Sequence, residues 1–213
     1  MQKQSILLFI FIIGGLIILS VFIISIIKEK PIKENNKADI LTEPIIYNED
    51  SVLGNLTAPI TIIEFGDFKC SACKKVAITL EKILETYPNQ VKIIWKGIPA
   101  KNKSEEALIA SYCAQEQKQF LKYHNLLFAN QNNLDQENFY IDLAQEINLD
   151  LRKFNSCLNS QVFLDLIQKN TIQAQELRVD ATPYFFVGKK SFSGAISFEK
   201  FQIIIEEEIK KLK

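Results

Sequence analysis

The stretch that most limits what this chain can fold into is Ile60-Thr61-Ile62-Ile63-Glu64-Phe65, which runs through Gly66-Asp67-Phe68-Lys69 into Cys70-Ser71-Ala72-Cys73. The first six residues form a β-branched run of strand length. After the cysteines, Val76, Leu80, Ile83 and Leu84 recur at helical spacing. The two cysteines therefore sit where a buried strand turns into a helix. A spacing of three places both thiols in the first helical turn, near enough for a disulfide that opens and closes with little backbone movement. Unpaired N–H groups and the macrodipole at a helix start favour a thiolate on the first cysteine. The pattern reads as a redox site, with a zinc half-site and a purely structural disulfide as the other readings of a bare C-x-x-C. Zinc would need further ligands, and the remaining cysteines, Cys113 and Cys157, stand far apart, with His124 the single histidine. No metal is expected.

Ahead of this region, Ile6 to Ile27 holds no charged residue and is dense in Ile, Leu and Phe. As a helix it would run roughly 33 Å, enough to cross a bilayer. It is longer than the apolar core of a usual signal peptide, and no A-x-A-like cleavage site precedes Lys28, which favours an uncleaved anchor over a cleaved leader. The expected organisation is a short tail at 1–5, a transmembrane anchor at 6–27, a polar linker at 28–50 and one domain at 51–213. Lys3 before the span and Lys28, Lys30 and Lys33 after it leave positive-inside counting undecided. Four cysteines that read as two pairs place the domain outside the cytoplasm, in an oxidising compartment. Twenty-five basic residues balance 25 acidic ones with no basic block, so nothing points to nucleic acid.

Within the domain, Ser51 to Pro59 reads as a turn-rich lead into the central strand. Pro88-Asn89-Gln90 marks a turn, and Val91 to Trp95 reads as the next strand, completing a βαβ unit with parallel strands. A helical block follows at about 104–177. It opens at Ser104 with Ile109, Cys113, Phe120, Tyr123 and Leu127 on one face of a long helical stretch, followed by a loop at Asn130–Asn133. Further helices are expected over Glu137–Ile147, around Leu151–Leu158, and over Gln161–Leu177. After Thr182-Pro183, Tyr184–Val187 and Ser191–Ser193 form a hairpin, and Ser197–Lys211 forms a last amphipathic helix. The scheme is an α/β sandwich around one small sheet.

A strand, C-x-x-C and helix, with Thr-Pro opening a strand much later, resembles the thioredoxin fold. The helical block, with Cys113-Ala114-Gln115-Glu116-Gln117 and His124-Asn125-Leu126-Leu127-Phe128, resembles the DsbA-like thiol:disulfide oxidoreductases. It looks most like their membrane-anchored branch with a second cysteine pair. The resemblance implies an α/β thioredoxin fold with a helical insertion between its βαβ and ββα halves, plus an N-terminal transmembrane helix. It implies that Cys70 is the exposed nucleophile and Cys73 its buried resolving partner. Pro183, preceded by Thr182, would be the family's cis-proline, with no N–H to obstruct a substrate strand. Glu64 would be the acidic residue that relays protons to the resolving cysteine. Cys113 and Cys157 would be structural, as one disulfide or as two separate buried thiols. His124 receives no role beyond a locally satisfied helix residue.

The dipeptide Ser71-Ala72 lacks the histidine of the strongest oxidants in the family. The Cys70 thiolate would then lean on Ser71, backbone N–H groups, the helix end and Lys74, which points to a milder oxidant. The implied activity is donation of the Cys70–Cys73 disulfide to unfolded secreted proteins through a mixed disulfide at Cys70. Re-oxidation would fall to a quinone-linked membrane partner of the DsbB or VKOR type, with no metal or organic cofactor. The alternatives are a thiol reductase or isomerase, as in cytochrome maturation, and a non-redox peptide-binding or chaperone module.

Overall fold

The structure is a computed structural model that describes residues 41–101 and 104–212. The expected tail, the anchor at 6–27 and most of the linker lie outside the described residues, among which no helix is long and apolar enough to cross a membrane. Five strands form one sheet: β1 (Ser51–Gly54), β2 (Ile60–Gly66), β3 (Val91–Gly97), β4 (Tyr184–Val187) and β5 (Lys190–Ser193), in the order β1-β3-β2-β4-β5. The β2 and β3 strands are parallel, from Ile60 opposite Val91 to Gly66 opposite Gly97, and the other pairings are antiparallel. Lying at the centre and covered on both faces, β2 is buried along nearly its whole length rather than alternating.

The pleat sorts β2 by parity. Ile60 and Ile62 enter the main core, while Ile63 and Phe65 enter a smaller one with Ile94, Ile98, Ala174 and Phe186. Glu64 shares the parity of Ile62. Against the main-core face lie α1 (Ser71–Thr86), which buries Cys73, Val76, Leu80 and Ile83, and α7 (Phe198–Lys211), which buries Phe201, Ile204 and Ile205. Between β3 and β4 come α2 (Glu105–Gln115), α3 (Phe120–Ala129), α4 (Phe139–Glu146), α5 (Leu151–Ser160) and α6 (Leu164–Glu176). A disulfide joins Cys113 of α2 to Cys157 of α5 across a separation of 44 residues.

Several boundaries differ from the sequence reading, each for a local reason. Residues 51–54 form an edge strand rather than a turn-rich lead, because β3 supplies the pairing that four residues cannot provide alone. The helical stretch from Ser104 breaks into α2 and α3, since Lys118 takes a left-handed backbone (φ 61°) and Gln119 N–H bonds back to Ala114 O. Asn138 (φ 60°) delays α4 to Phe139, and Gln161 (φ 53°) ends α5 where the next helix was expected to begin. A single 3-10 turn, Gln131–Asn133, occupies the expected loop.

The end of the expected linker is packed into the fold. The Asp50 carboxylate accepts from Lys96 Nζ at 2.6 Å with both side chains fully buried. Lys96 also donates to Asn170 Oδ1 at 3.1 Å and sits 4.6 Å from the Tyr47 ring.

Candidate active site

Past Gly66 the chain makes a tight turn into α1, and Asp67 builds it. One carboxylate oxygen accepts from Lys69 N–H and the other from Lys101 N–H, both at 2.8 Å, while Asp67 O accepts from Cys70 N–H at 3.0 Å. The first of these bonds is an Asx turn, a signal readable in the sequence but not drawn from it. Phe68 anchors the turn from below, fully buried against Trp95 and Phe128 with ring centroids 5.1 and 5.0 Å away. The Trp95 ring lies so close to Gly66 that a Cβ there would come within 2.3 Å of it, so this strand end admits only glycine.

Cys70 is the N-cap residue of α1 (φ −84°, ψ 119°). Its thiol donates to Thr182 O at 3.1 Å, across from the cis peptide bond Thr182–Pro183. Cys70 and Cys73 are both free thiols here. Cys73 is wholly covered and Cys70 is only 7 % exposed, so the nucleophile position is a rim residue rather than the open one implied by resemblance.

Three ionisable groups of the site, Cys70, Cys73 and Glu64, are displaced in opposite directions. Cys70 is held down to about 5, first by the hydrogen bond from the Cys73 thiol, against its own burial, and then by the Thr182 side chain and the N–H groups of Cys73 and Ala72. Cys73 is pushed far above the ordinary thiol range by burial, by its hydrogen bond to Cys70 and by the charge of Glu64. Glu64, 2 % exposed, is pushed up to about 8, chiefly by burial and secondarily by the charge of Cys70. The structure thus brings together Cys70, Cys73, Thr182, Pro183 and Glu64. Ser71 is exposed, and the groups that lower Cys70 most are the Cys73 thiol, Thr182 and the helix N–H groups. The Lys74 ammonium is directed to Ala129 O at 3.3 Å.

Behind the redox helix, a cavity of about 290 Å³ lined by Leu53, Ala77, Leu80 and Leu121 reaches Glu64 and His124. His124 is only half satisfied. Its Nδ1 lies 3.0 Å from Asn125 Oδ1, whereas its buried Nε2 has no hydrogen-bond partner among the described residues. Burial holds the ring down to about 4, hence neutral at physiological pH. A larger cavity, about 840 Å³, lies beside the Cys113–Cys157 disulfide, not at the redox pair.

A sequence model described as thioredoxin matches residues 47–207. The chain belongs to the thioredoxin family. It is 27 % identical over 214 residues to the probable disulfide bond formation protein D of Bacillus anthracis, covering 95 % of this chain and 94 % of that protein. The structure of oxidised BdbD from Bacillus subtilis matches with a TM-score of 0.69 at 26 % identity, covering 76 % of this chain and 94 % of that one. A Na(+)/H(+) antiporter, NhaA 1 of Salinispora arenicola, is 28 % identical over 162 residues. That match takes in 75 % of this chain but only 24 % of the antiporter, so the chain spans about a quarter of that relative's length. The resemblance read from the C-x-x-C, the Thr-Pro and the helical block holds at the level of family and fold.

Proposed function

We propose that this thioredoxin-family chain is an extracytoplasmic thiol:disulfide oxidoreductase that donates a Cys70–Cys73 disulfide to reduced secreted proteins. The observation that carries the reading is the opposed displacement of two thiols three residues apart, Cys70 down to about 5 and Cys73 far up. In the oxidised enzyme a substrate thiolate attacks Cys70 Sγ, the one sulfur at the rim. The Cys70–Cys73 bond breaks, and Cys73 leaves and takes a proton that the Glu64 carboxyl can supply. A second substrate thiolate then attacks the substrate sulfur of the mixed disulfide, and Cys70 departs as a stabilised thiolate. The substrate loses two electrons and the enzyme gains them. Thr182 and Pro183 border the attacked sulfur, and the Thr182 backbone is the edge along which an extended substrate segment would lie.

The bonded Cys113–Cys157 pair supports the extracytoplasmic placement, since such bonds persist in oxidising compartments. In this reading residues 6–27 anchor the chain in the membrane, close to a quinone-linked re-oxidase of the DsbB or VKOR type. The test is the equilibrium reduction potential of the Cys70–Cys73 pair in the full chain against glutathione buffers. Stabilising the reduced form through an acidic Cys70 predicts about −120 to −180 mV, and a value near −270 mV would mark a reductant and overturn the direction of transfer.

A further inference from the structure

Three side chains, those of Gln131, Lys69 and Lys74, brace the redox loop and the first turn of α1 against the stretch 129–135 at and after the end of α3. The Gln131 amide nitrogen donates to Phe68 O at 2.6 Å and to Cys70 O at 2.9 Å. Lys69 Nζ lies 2.6 Å from Asp135, and Lys74 Nζ donates to Ala129 O at 3.3 Å. They are not equivalent. The Asp135 side chain is 69 % exposed, so its ion pair is screened and weak. The Lys74 bond is long and exposed. The Gln131 bonds are short, partly buried, and end on the backbone of the redox residue itself. Two carbonyl acceptors admit only the amide nitrogen of a glutamine, so chemistry settles the orientation of this side chain.

The consequence for Cys70 follows from its place as N-cap. Its N–H is held by Asp67 O at 3.0 Å, and its carbonyl already accepts Lys74 N–H at 3.1 Å in the first bond of α1. Gln131 gives that carbonyl a second donor and ties it to the Phe68 carbonyl two residues earlier. The backbone on both sides of Cys70 is thereby fixed with its ψ at 119°. That setting fixes where the N–H groups of Ala72 and Cys73, which support the anion, stand relative to Cys70. Such bonds weaken steeply with angle and distance, so their value depends on how firmly the Cys70 peptide is held.

We propose that Gln131 is a positioning residue of the redox centre, clamping the Phe68 and Cys70 carbonyls so that the Cys70 sulfur stays over the N-terminus of α1. It touches no sulfur and acts through the backbone. The helical block becomes a working part of the site, not only a cover for the sheet. The inference rests on the reading of Cys70 as the thiol that exchanges.

Gln131→Met keeps the length of the side chain and removes both donors, while Gln131→Asn keeps the amide on a shorter arm. The thiolate absorbance of the reduced full chain is followed against pH, together with the pH profile of Cys70 alkylation. Gln131→Met is expected to raise the Cys70 midpoint by about one pH unit, which is a tenfold loss of thiolate below the midpoint. Gln131→Asn should shift it in the same direction by less, and Asp135→Asn should leave it in place. A mere loss of packing would lower the melting temperature without moving the midpoint, and a wild-type midpoint in both Gln131 variants refutes the proposal. Should Gln131→Met fail to fold, Gln131→Asn alone decides between these outcomes. The proposed function stands or falls separately, on whether Cys70 of the unaltered chain titrates near 5 or near the ordinary 9.

Discussion

Glu64→Gln should change how stability depends on pH, and the structure sets the size of the change. Glu64 lies on the central strand with 2 % of its surface exposed, and burial, with the Cys70 charge adding to it, raises its carboxyl from 4.5 to about 8. Below pH 4.5 the folded and unfolded chains both carry the proton, so the group has no effect on the balance. Between 4.5 and 8 the unfolded chain releases its proton while the folded chain keeps it, and stability falls as pH rises. The slope is about 1.4 kcal/mol per pH unit, for a limit of roughly 5 kcal/mol. Roughly 2–4 kcal/mol of that falls between pH 5 and pH 8, the lower figure allowing for the Cys70 charge, which adds to the rise of Glu64 in the reduced chain and is absent from the oxidised one. The assay is urea unfolding of wild type and Glu64→Gln at both pH values, with Cys70 and Cys73 oxidised so that no thiolate contributes. Wild type should lose that much more stability than the variant on going to pH 8. Parallel pH profiles, within about 0.5 kcal/mol, would show that Glu64 ionises freely in the folded chain and would remove it as a proton source at neutral pH.

Two further predictions concern the scaffold. Replacing both Cys113 and Cys157 by alanine frees a loop spanned by 44 residues, and the chain-entropy relation gives about 4 kcal/mol of lost stability in urea unfolding. A loss below about 1 kcal/mol would mean that the unfolded chain keeps the two segments together. Lys96→Met should cost about 3–5 kcal/mol, because it strands the buried Asp50 carboxylate, and Lys96→Met combined with Asp50→Leu should recover part of it. If the double variant is no more stable than the single one, the stranded charge is not the cause.

What could be read from the sequence was local. The β-branched run from Ile60 to Phe65, the helical spacing of Val76, Leu80 and Ile83, and the Thr182-Pro183 dipeptide each lie within one element, so period and composition expose them. What escaped depends on distant partners. The β1 strand exists because β3 pairs with it. Asp50 meets Lys96 across 46 positions, and Gln131 meets Cys70 across 61. The break after α2 had no glycine or proline to announce it, only Lys118 in a conformation that lysine seldom takes. Apolar helix faces admit both readings of Cys113 and Cys157, and the packing of α5 on α2 decides for the disulfide.

The chemistry of the site turns on donors more than on burial. Cys70, Cys73 and Glu64 are all buried, and burial alone would raise all three. Cys70 falls because the Cys73 thiol, the Thr182 side chain and two helix N–H groups outweigh it, whereas Cys73 and Glu64 rise. In the proposed cycle the two exchange steps therefore have different needs. When Cys70 departs from a mixed disulfide it requires no proton. When Cys73 departs, it leaves as the poorest thiolate in the site and must be protonated at once, and Glu64 is the group in reach that still holds a proton at neutral pH. Alkaline conditions above about 8 take that proton away. Compared at equal concentrations of attacking thiolate, the opening of the enzyme disulfide should therefore slow there while the release of product from Cys70 does not, a division of labour that the asymmetry of the two thiols alone would not require.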